Sequence, residues 1–540
     1  MFKELRDEFC KKLENVSVDL EKKCWDFYIN STPENMQKYE DAQDNYSKLF
    51  RDKKTYEKFQ KIDKNSLSKH EAKQLKNLLK EFDEELNTGE ELKKLRQKEN
   101  EIAKKFNSYV LKIDDKEITK TEVTKILQNE ENPEIRRKAH KAKIACGDLI
   151  SDDMIEFVKM RNEYAKTKGY ENYFEYKLKE DYEVENEFLE KLIDEVYSKT
   201  QNTIKEIQMK KQNDLKNFFN VDELKPYHYG LLLSDNPEKA VNEVLDKNDI
   251  TLISKNMYKR MGYDVDKMVA DCRLTLDLFP RKGKNTHGFC FGVKAGKDSR
   301  ILANLTNNVI SLDTLNHEMG HCVYDLGIDT KLPFLDRTAA SPAVTEAVAM
   351  MMGDVIKREN VLAEFLDKDL LEKFKNSIKE DEVSFVSKSL LIIDFEREFY
   401  SNPNQNPAEL WNNLRGKYLN RFEVPDNEWA TIPHYLSHPA YYQNYFRANL
   451  MKAQIYNYLK SKLGDITENS ESAKFMDENI FALGASIDEY ELIEKLTGKE
   501  FSADDFVEGV LMSWKLIDES GKLYKILKKY YMFNIEQILF

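Results

Sequence analysis

The stretch LNHEMGHCVYDLG, residues 315–327, sets two histidines four positions apart with a glutamate directly after the first. On a helix, side chains at that spacing lie about 5–6 Å from one another at Cβ. The imidazoles of His317 and His321 can therefore reach one divalent cation, at ligand distances of about 2.0–2.1 Å for zinc. Glu318 points beside such an ion and suits a general base. The ion lowers the pKa of a water to roughly 7, and the carboxylate takes the proton as the water attacks a carbonyl. Hydrolytic zinc takes three protein ligands and keeps one position open. The third ligand is expected on another element, and Glu346, in SPAVTEAVAMMMGD, is the best candidate. It sits in a very apolar segment, where a carboxylate is costly to bury unless it is paired or coordinates a cation. Asp325, Asp329 and Asp336 lie in or beside a loop and are weaker choices.

These side chains need helices to position them. Ser311 is a plausible N-cap of the motif helix, Asp313 favours its first turn, and Gly327 is a plausible residue just past its end. Leu312, Leu315, Met319, Cys322, Val323 and Leu326 share one side at helical spacing, which predicts that side buried. Gly320 costs about 1 kcal/mol relative to alanine inside a helix, so close approach of another backbone is expected there. Ser341 followed by Pro342 is a helix start, with Glu346 about one turn in. With eight histidines in 540 residues, an HExxH pattern arises by chance in roughly one such chain in a hundred. The downstream glutamate is what turns the pattern into a metal site.

The rest of the chain reads as helix. Gly 18 and Pro 12 are low counts for 540 residues, which favours long helices over a many-stranded sheet. Residues 1 to about 215 show apolar positions at three- and four-residue steps amid Lys and Glu. Residues 70–105 are expected to form an antiparallel helical hairpin, and residues 238–280 and 311 to the end are expected to be helical. Between them THGFCFGV and RILANL read as two antiparallel strands around a Gly/Lys turn. His70 and His140, on charged helices, are expected at the surface, and His228 in a loop near aromatics. A net charge of −13 disfavours nucleic acid and anionic lipid as partners. No apolar run is long enough to predict a membrane span. The six scattered cysteines read as reduced, mostly buried thiols, so a cytoplasmic location is expected.

HEMGH followed by a TEAVA-type helix resembles the gluzincin peptidases, both the thimet oligopeptidase/oligoendopeptidase F family and the angiotensin-converting-enzyme family. The resemblance implies His317, His321 and Glu346 as ligands of one zinc ion per chain and Glu318 as base. RNEYAKTKGYENYFEY (161–176) is similar to a segment of these families. GKNTHGFCFGV with ILANL resembles the strands along which their peptide substrate lies, which implies substrate contact at His287 and Gly288. WATIPHYLSHPAYYQNYF (429–446) resembles the segment that completes the site. It is closest to oligoendopeptidase F in its opening. A tyrosine hydroxyl and an imidazole N–H aimed at a tetrahedral oxyanion stabilise the transition state, and removing one such donor costs about 2.7–4 kcal/mol. His434 and Tyr445 are the choices, with Tyr442 near substrate, and His438 competes with His434.

The chain also departs from the pattern. Ile432 and Pro433 precede His434, where the angiotensin-converting-enzyme family has a lysine that holds the substrate's C-terminal carboxylate. Met350 stands where an acidic residue is expected, and Asp354 lies a further turn on. The resemblance covers roughly residues 160–450 in patches, and the N-terminal helices match only in character.

The expected fold is mainly α, a two-lobed helical metallopeptidase with a deep substrate channel and one small antiparallel β element beside the zinc helix. One metallopeptidase domain spans 1–540, with a helical lobe (1–215), a connecting region with the substrate-side strands (216–310), and zinc-site helices with a second lobe (311–540). The expected activity is zinc-dependent hydrolysis of short unfolded peptides. A peptidyl-dipeptidase and a non-catalytic helical binding protein are the alternatives, and the oligomeric state stays open.

Overall fold

The computed structural model describes residues 2–86, 89–234, 236–285, 287–355 and 359–511. The fold is mainly α, as the sparse glycine and proline predict. The expected helices after residue 511, and Thr286 at the start of THGFCFGV, lie outside the described residues. None of the described helices is long and apolar enough to cross a membrane. The chain divides into two compact units, each assembled from three stretches. One comprises Met1–Lys98, Ala240–Lys368 and Arg447–Phe501, the other Glu99–Lys239, Asp369–Phe446 and Ser502–Phe540.

In the first unit, helices Phe2–Ile29, Pro33–Phe50, Lys53–Gln60 and Lys69–Leu86 close around Phe9, Phe50, Phe59 and Phe82. Their rings meet edge-on or tilted at 5.1–5.9 Å, within the favoured range for aromatic pairs. Local chemistry starts these helices where the sequence suggests. Thr32 accepts a hydrogen bond from Asn35 N just before Pro33, and Asp52 accepts from Lys54 N. The segment read as a helical hairpin is two helices, Lys69–Leu86 and Glu90–Ser108.

The same unit holds a three-stranded sheet of Leu274–Asp277, Asp298–Leu302 and Phe289–Lys294, in that spatial order. The antiparallel pair of Phe289–Lys294 with Asp298–Leu302 is the expected one, turning at Gly296, whose φ is +71°. The third strand, parallel to Asp298–Leu302, corrects the reading of 238–280 as helix throughout. Only four residues long, it carries too little alternation to stand out. Phe289–Lys294 is left at the sheet edge. One of its faces meets Trp25 of the first helix, with Phe291 T-shaped against that indole at 5.4 Å.

The second unit is built on long helices, among them Pro133–Thr167, Asn186–Phe219 and Pro407–Leu419. Asn132 and Asn406 cap the helices that begin at Pro133 and Pro407. Phe395, Phe399, Trp411, Trp429 and Tyr435 form its aromatic core. A hairpin interrupts the helical run expected over residues 1–215: Leu111–Ile113 pairs antiparallel with Lys116–Ile118. Asp114 and Asp115 turn it with φ of +49° and +61°. Two consecutive left-handed residues define the type I′ turn, whose twist suits a two-residue hairpin. Three-residue strands among Lys and Glu are too short to override the helical texture around them.

The motif helix, Val309–Gly327, differs at both ends from the expected caps. Asn308 is its N-cap, accepting from Ser311 N, and the Ser311 hydroxyl instead accepts from Thr306 N at 3.0 Å. Gly327 is the last helical residue, not one past it. It is small because Phe481 packs against it: a Cβ there would come within 2.7 Å of that side chain. The predicted buried side is buried, from Leu312 to Leu326. Gly320 has the close neighbour its cost implies, since a Cβ there would lie 2.8 Å from Ala349 Cα and 3.1 Å from Met352 Cβ. Those residues belong to helix Pro342–Val355, whose first turn is capped by the Ser341 hydroxyl, accepting from Val344 N at 3.2 Å.

Gly320→Ala should therefore destabilise the protein. Helix propensity favours alanine by about 1 kcal/mol, but overpacking against a backbone atom costs about 1–3 kcal/mol. Denaturant unfolding should show a net loss, and unchanged or raised stability would mean that the two helices have slack between them.

Candidate metal centre

The close packing at Gly320 brings Glu346 level with the two histidines. His317 Nε2 lies 3.4 Å and His321 Nε2 3.8 Å from Glu346 Oε2. The imidazole rings are 4.9 Å apart at an angle of 84°. One ligand atom from each of the three residues lies within 4.8 Å of the others, and this is the only such group of three or more His, Cys, Asp or Glu side chains among the described residues. Three atoms bound tetrahedrally at about 2.0–2.1 Å stand about 3.3 Å apart, so these residues fit a zinc ion with little rearrangement. Glu346 is buried, and the histidines are half-buried.

The electrostatics follow from this confinement. Burial pushes the His321 pKa down to about 4 although Glu346 pulls the other way, so the ring is neutral near pH 7 and keeps a lone pair for a metal. Its Nδ1 lies 2.7 Å from the Thr345 hydroxyl. That contact orients the ring and leaves Nε2 toward Glu346, as a partner on the second nitrogen does for metal-bound histidines. His317 is also opposed by burial, but Glu346, with Glu318 and Asp313 behind it, raises its pKa overall. Glu318 is pushed up to about 7, by burial first and by the Glu346 charge, against the pull of His317 and of the Cys290 N–H.

The edge strand runs beside Glu318. A Cβ on Gly288 would sit 3.1 Å from Thr314 Cγ2 and 3.7 Å from Glu318 Oε1, so glycine leaves space next to that carboxylate. His287 is exposed, with its ring 6.0 Å from that of Phe289. Behind the strand, Cys290 Sγ lies 3.1 Å from Cys322 Sγ, and the Ser299 hydroxyl lies 3.1 Å from Cys322 Sγ. All six cysteines are free thiols. Cys10, Cys146 and Cys322 are buried, Cys24 and Cys290 half-buried, and Cys272 exposed.

The aromatic segment belongs to the second unit. His434 is in the short helix Pro433–Ser437, and Tyr442 and Tyr445 open helix Tyr442–Leu463. The His434 ring is 4.9 Å from Tyr442, 6.1 Å from Tyr445 and 5.8 Å from Tyr441. His438 is exposed, with Nδ1 2.8 Å from the Ser437 hydroxyl. The ring cluster therefore gathers about His434.

The segment beginning RNEYA explains how this piece of chain is held. Arg161, fully buried, donates to the carbonyls of Tyr435 and Leu436 at 2.7 and 2.6 Å and to the Tyr400 hydroxyl at 3.0 Å. It thus satisfies carbonyls at the end of the His434 helix that have no partner within the helix. Asn162 donates to Tyr400 O and accepts from Tyr173 N, fixing the following turn. Glu396 accepts from Ala440 N at 2.9 Å, where Ala440 has φ +61°. Thr345 and Glu396 carry no sequence pattern that singles them out, because their value lies in what folding places beside them.

Other expectations need correction. His70 is not a free surface histidine: its Nε2 lies 2.8 Å from the buried Asp336, which also accepts from Gln74. His140 is half-buried. His228 lies near aromatics as expected, stacked on Phe219 at 4.6 Å, but it is buried in a short 3-10 turn with Nδ1 accepting from Lys225 N. Asp354 forms an ion pair with Lys452.

Two ligating histidines one helical turn apart, with the third oxygen donor on the following helix, are the arrangement of the gluzincin metallopeptidases. Residues 126–511 match the family model described as Peptidase family M3, and residues 3–225 match that of angiotensin-converting enzyme. The chain belongs to peptidase family M3 and is a metallopeptidase. The matches run further toward both ends than the 160–450 patches, so the N-terminal helices resemble the angiotensin-converting-enzyme family in more than character.

Glu396 yields a pH prediction. Burial pushes its pKa up to about 8 from 4.5, against the Ala440 N–H and Arg161. With the folded-state pKa above the unfolded one, its contribution to stability is fully present below about 4.5 and is lost as the pH rises through about 8. Thermal unfolding at pH 6 and pH 9 should show a larger loss in the wild type than in Glu396→Gln, which cannot ionise. Equal losses would mean that Glu396 does not titrate in this range.

Proposed function

We propose that this protein is a zinc-dependent oligopeptidase that cleaves internal bonds of short, unfolded peptides. The supporting observation is the convergence of His317, His321 and Glu346, with Glu318 beside Gly288, which immediately precedes an edge strand. A zinc ion held by these three residues would act as a Lewis acid on a water molecule and on the scissile carbonyl. Glu318, with a proton affinity near neutrality, takes the proton of the attacking water and delivers it to the leaving amine. The peptide lies along the edge strand at His287 and Gly288, where an unpaired strand edge can accept an extended chain. His434 and Tyr445 donate hydrogen bonds to the oxyanion, and Tyr442 contacts the peptide.

The restriction to short unfolded chains is carried over from the deep channel of the family's two-lobed fold, with the whole chain acting as one metallopeptidase domain. Six free thiols support work in a reducing compartment, the cytoplasm. The match of residues 3–225 to angiotensin-converting enzyme supports a second reading, removal of dipeptides from the C-terminus. Ile432 and Pro433 ahead of His434, in place of a carboxylate-binding lysine, weigh against it.

Elemental analysis should find one zinc per chain, and Glu346→Ala should lose it. Chelation should abolish hydrolysis. Glu318→Gln should retain zinc while kcat falls by about 10²–10⁴; wild-type turnover in that variant would remove the base from the mechanism. A peptide blocked at both ends should be cut, whereas a strict dipeptidyl carboxypeptidase would leave it intact.

A further inference from the structure

The second unit contains a cavity of about 500 Å³ lined by none of the residues assigned above to hydrolysis. Its volume falls within the range of about 300–1,000 Å³ typical of small-molecule sites. Phe106, Leu111, Val123 and Leu127 supply an apolar wall. The hairpin at Leu111–Ile118 and helix Lys120–Asn129 bring most of that wall together.

The charged part of the lining is mostly cationic. Lys120, Lys143 and Arg421 face the cavity, with Glu428 as a carboxylate among them. Lys143 Nζ pairs with Glu428 at 3.1 Å, and Arg421 pairs with Glu423 at 2.6 Å while lying 3.9 Å from the centre of the Tyr229 ring. Lys120 has no carboxylate within ion-pair distance among the described residues, and its Nζ lies 4.8 Å from the centre of the Phe106 ring. The local potential is positive. Burial alone would raise Glu428, yet Lys143, Arg421 and Arg415 together bring it down to about 2. Lys388 is held below its ordinary value by burial and then by Lys143. This positive region sits in a chain of net charge −13, so a general attraction for anions does not explain it.

We propose that the cavity binds a small organic monoanion with an apolar body, an alkyl or aryl carboxylate, its charge on Lys120 and its body against Phe106, Leu111 and Leu127. Lys143 and Arg421 already have carboxylate partners, which leaves one uncompensated cation and favours a single negative charge over a phosphate dianion. The apolar wall gives the rest of the ligand a surface to leave water for. His140, also in the lining, offers a neutral ring nitrogen to the carboxylate, since burial lowers its pKa. The site is independent of the peptidase reading.

Calorimetric titration of the full chain tests this, with octanoate, 3-phenylpropionate, octanol and inorganic phosphate as probes. One carboxylate should bind per chain, octanol at least about tenfold more weakly and phosphate not at all; the tighter of the two carboxylates tells an alkyl from an aryl ligand. Thr124 lines the cavity and is exposed, so Thr124→Trp should fill it without disturbing the core and weaken carboxylate binding by about tenfold or more. Lys120→Met should weaken the carboxylate but not octanol, with thermal unfolding confirming that both variants fold. Absence of carboxylate binding at millimolar concentration, equal binding of octanol, or undiminished binding in folded Thr124→Trp would each overturn the proposal.

Discussion

A carboxylate in an apolar helix is the constraint on which the candidate metal centre depends. Glu346 is buried in a helix rich in alanine, valine and methionine. Two imidazoles from the neighbouring helix approach it to 3.4 and 3.8 Å, and the close contact of the helices at Gly320 brings them there. Packing and electrostatics are therefore one problem at this site. A larger residue at 320 would separate the helices and draw the imidazoles away from a buried carboxylate, which is costly in itself.

The second unit meets a comparable demand in another way. The short helix that carries His434 ends in carbonyls, and the turn after it in an amide, that buried side chains from distant segments satisfy. Arg161 reaches carbonyls 274 and 275 residues away in sequence, and Glu396 holds the amide of a residue in the left-handed region. Guanidinium suits the first task because its donors are rigidly forked. A carboxyl suits the second because one oxygen can accept an amide hydrogen bond while burial keeps the group protonated. The aromatic residues on this segment thus depend on polar groups that hold the backbone beneath them.

What could be read in the sequence was what local spacing encodes. His317, His321 and Glu318 are related by helical geometry alone, and Glu346 stood out because its apolar neighbours made a carboxylate conspicuous. Ser341 with Pro342 marked its helix start correctly. Errors arose where two local signals competed. Ser311 looked like a cap, but Asn308, three residues earlier, took that role, and Gly327 was small for packing instead of for a left-handed turn. The strand at Leu274–Asp277 and the hairpin at Leu111–Ile118 were too short to register as periodic patterns. His70 has its partner, Asp336, 266 residues away in sequence, information that a charged neighbourhood does not contain. Thr345 and Glu396 were invisible for the same reason.

The strand Phe289–Lys294 shows a division of labour between its faces. Phe289, Phe291 and Val293 pack with Trp25 on one side, while Cys290 and Gly292 turn toward the motif helix, touching Cys322 and Asp325. The strand is thereby pinned to the helix that carries Glu318, and any chain paired along its outer edge would share that alignment. Side chains alternate with a rise of about 3.3 Å per residue, so sliding such a chain by one step inverts every side chain, while sliding by two restores the same face. Under the proposed reading such an edge would act as a ruler graduated in dipeptides: every second residue of a bound peptide would face the same way, and the phase of that alternation would select the bond presented to Glu318.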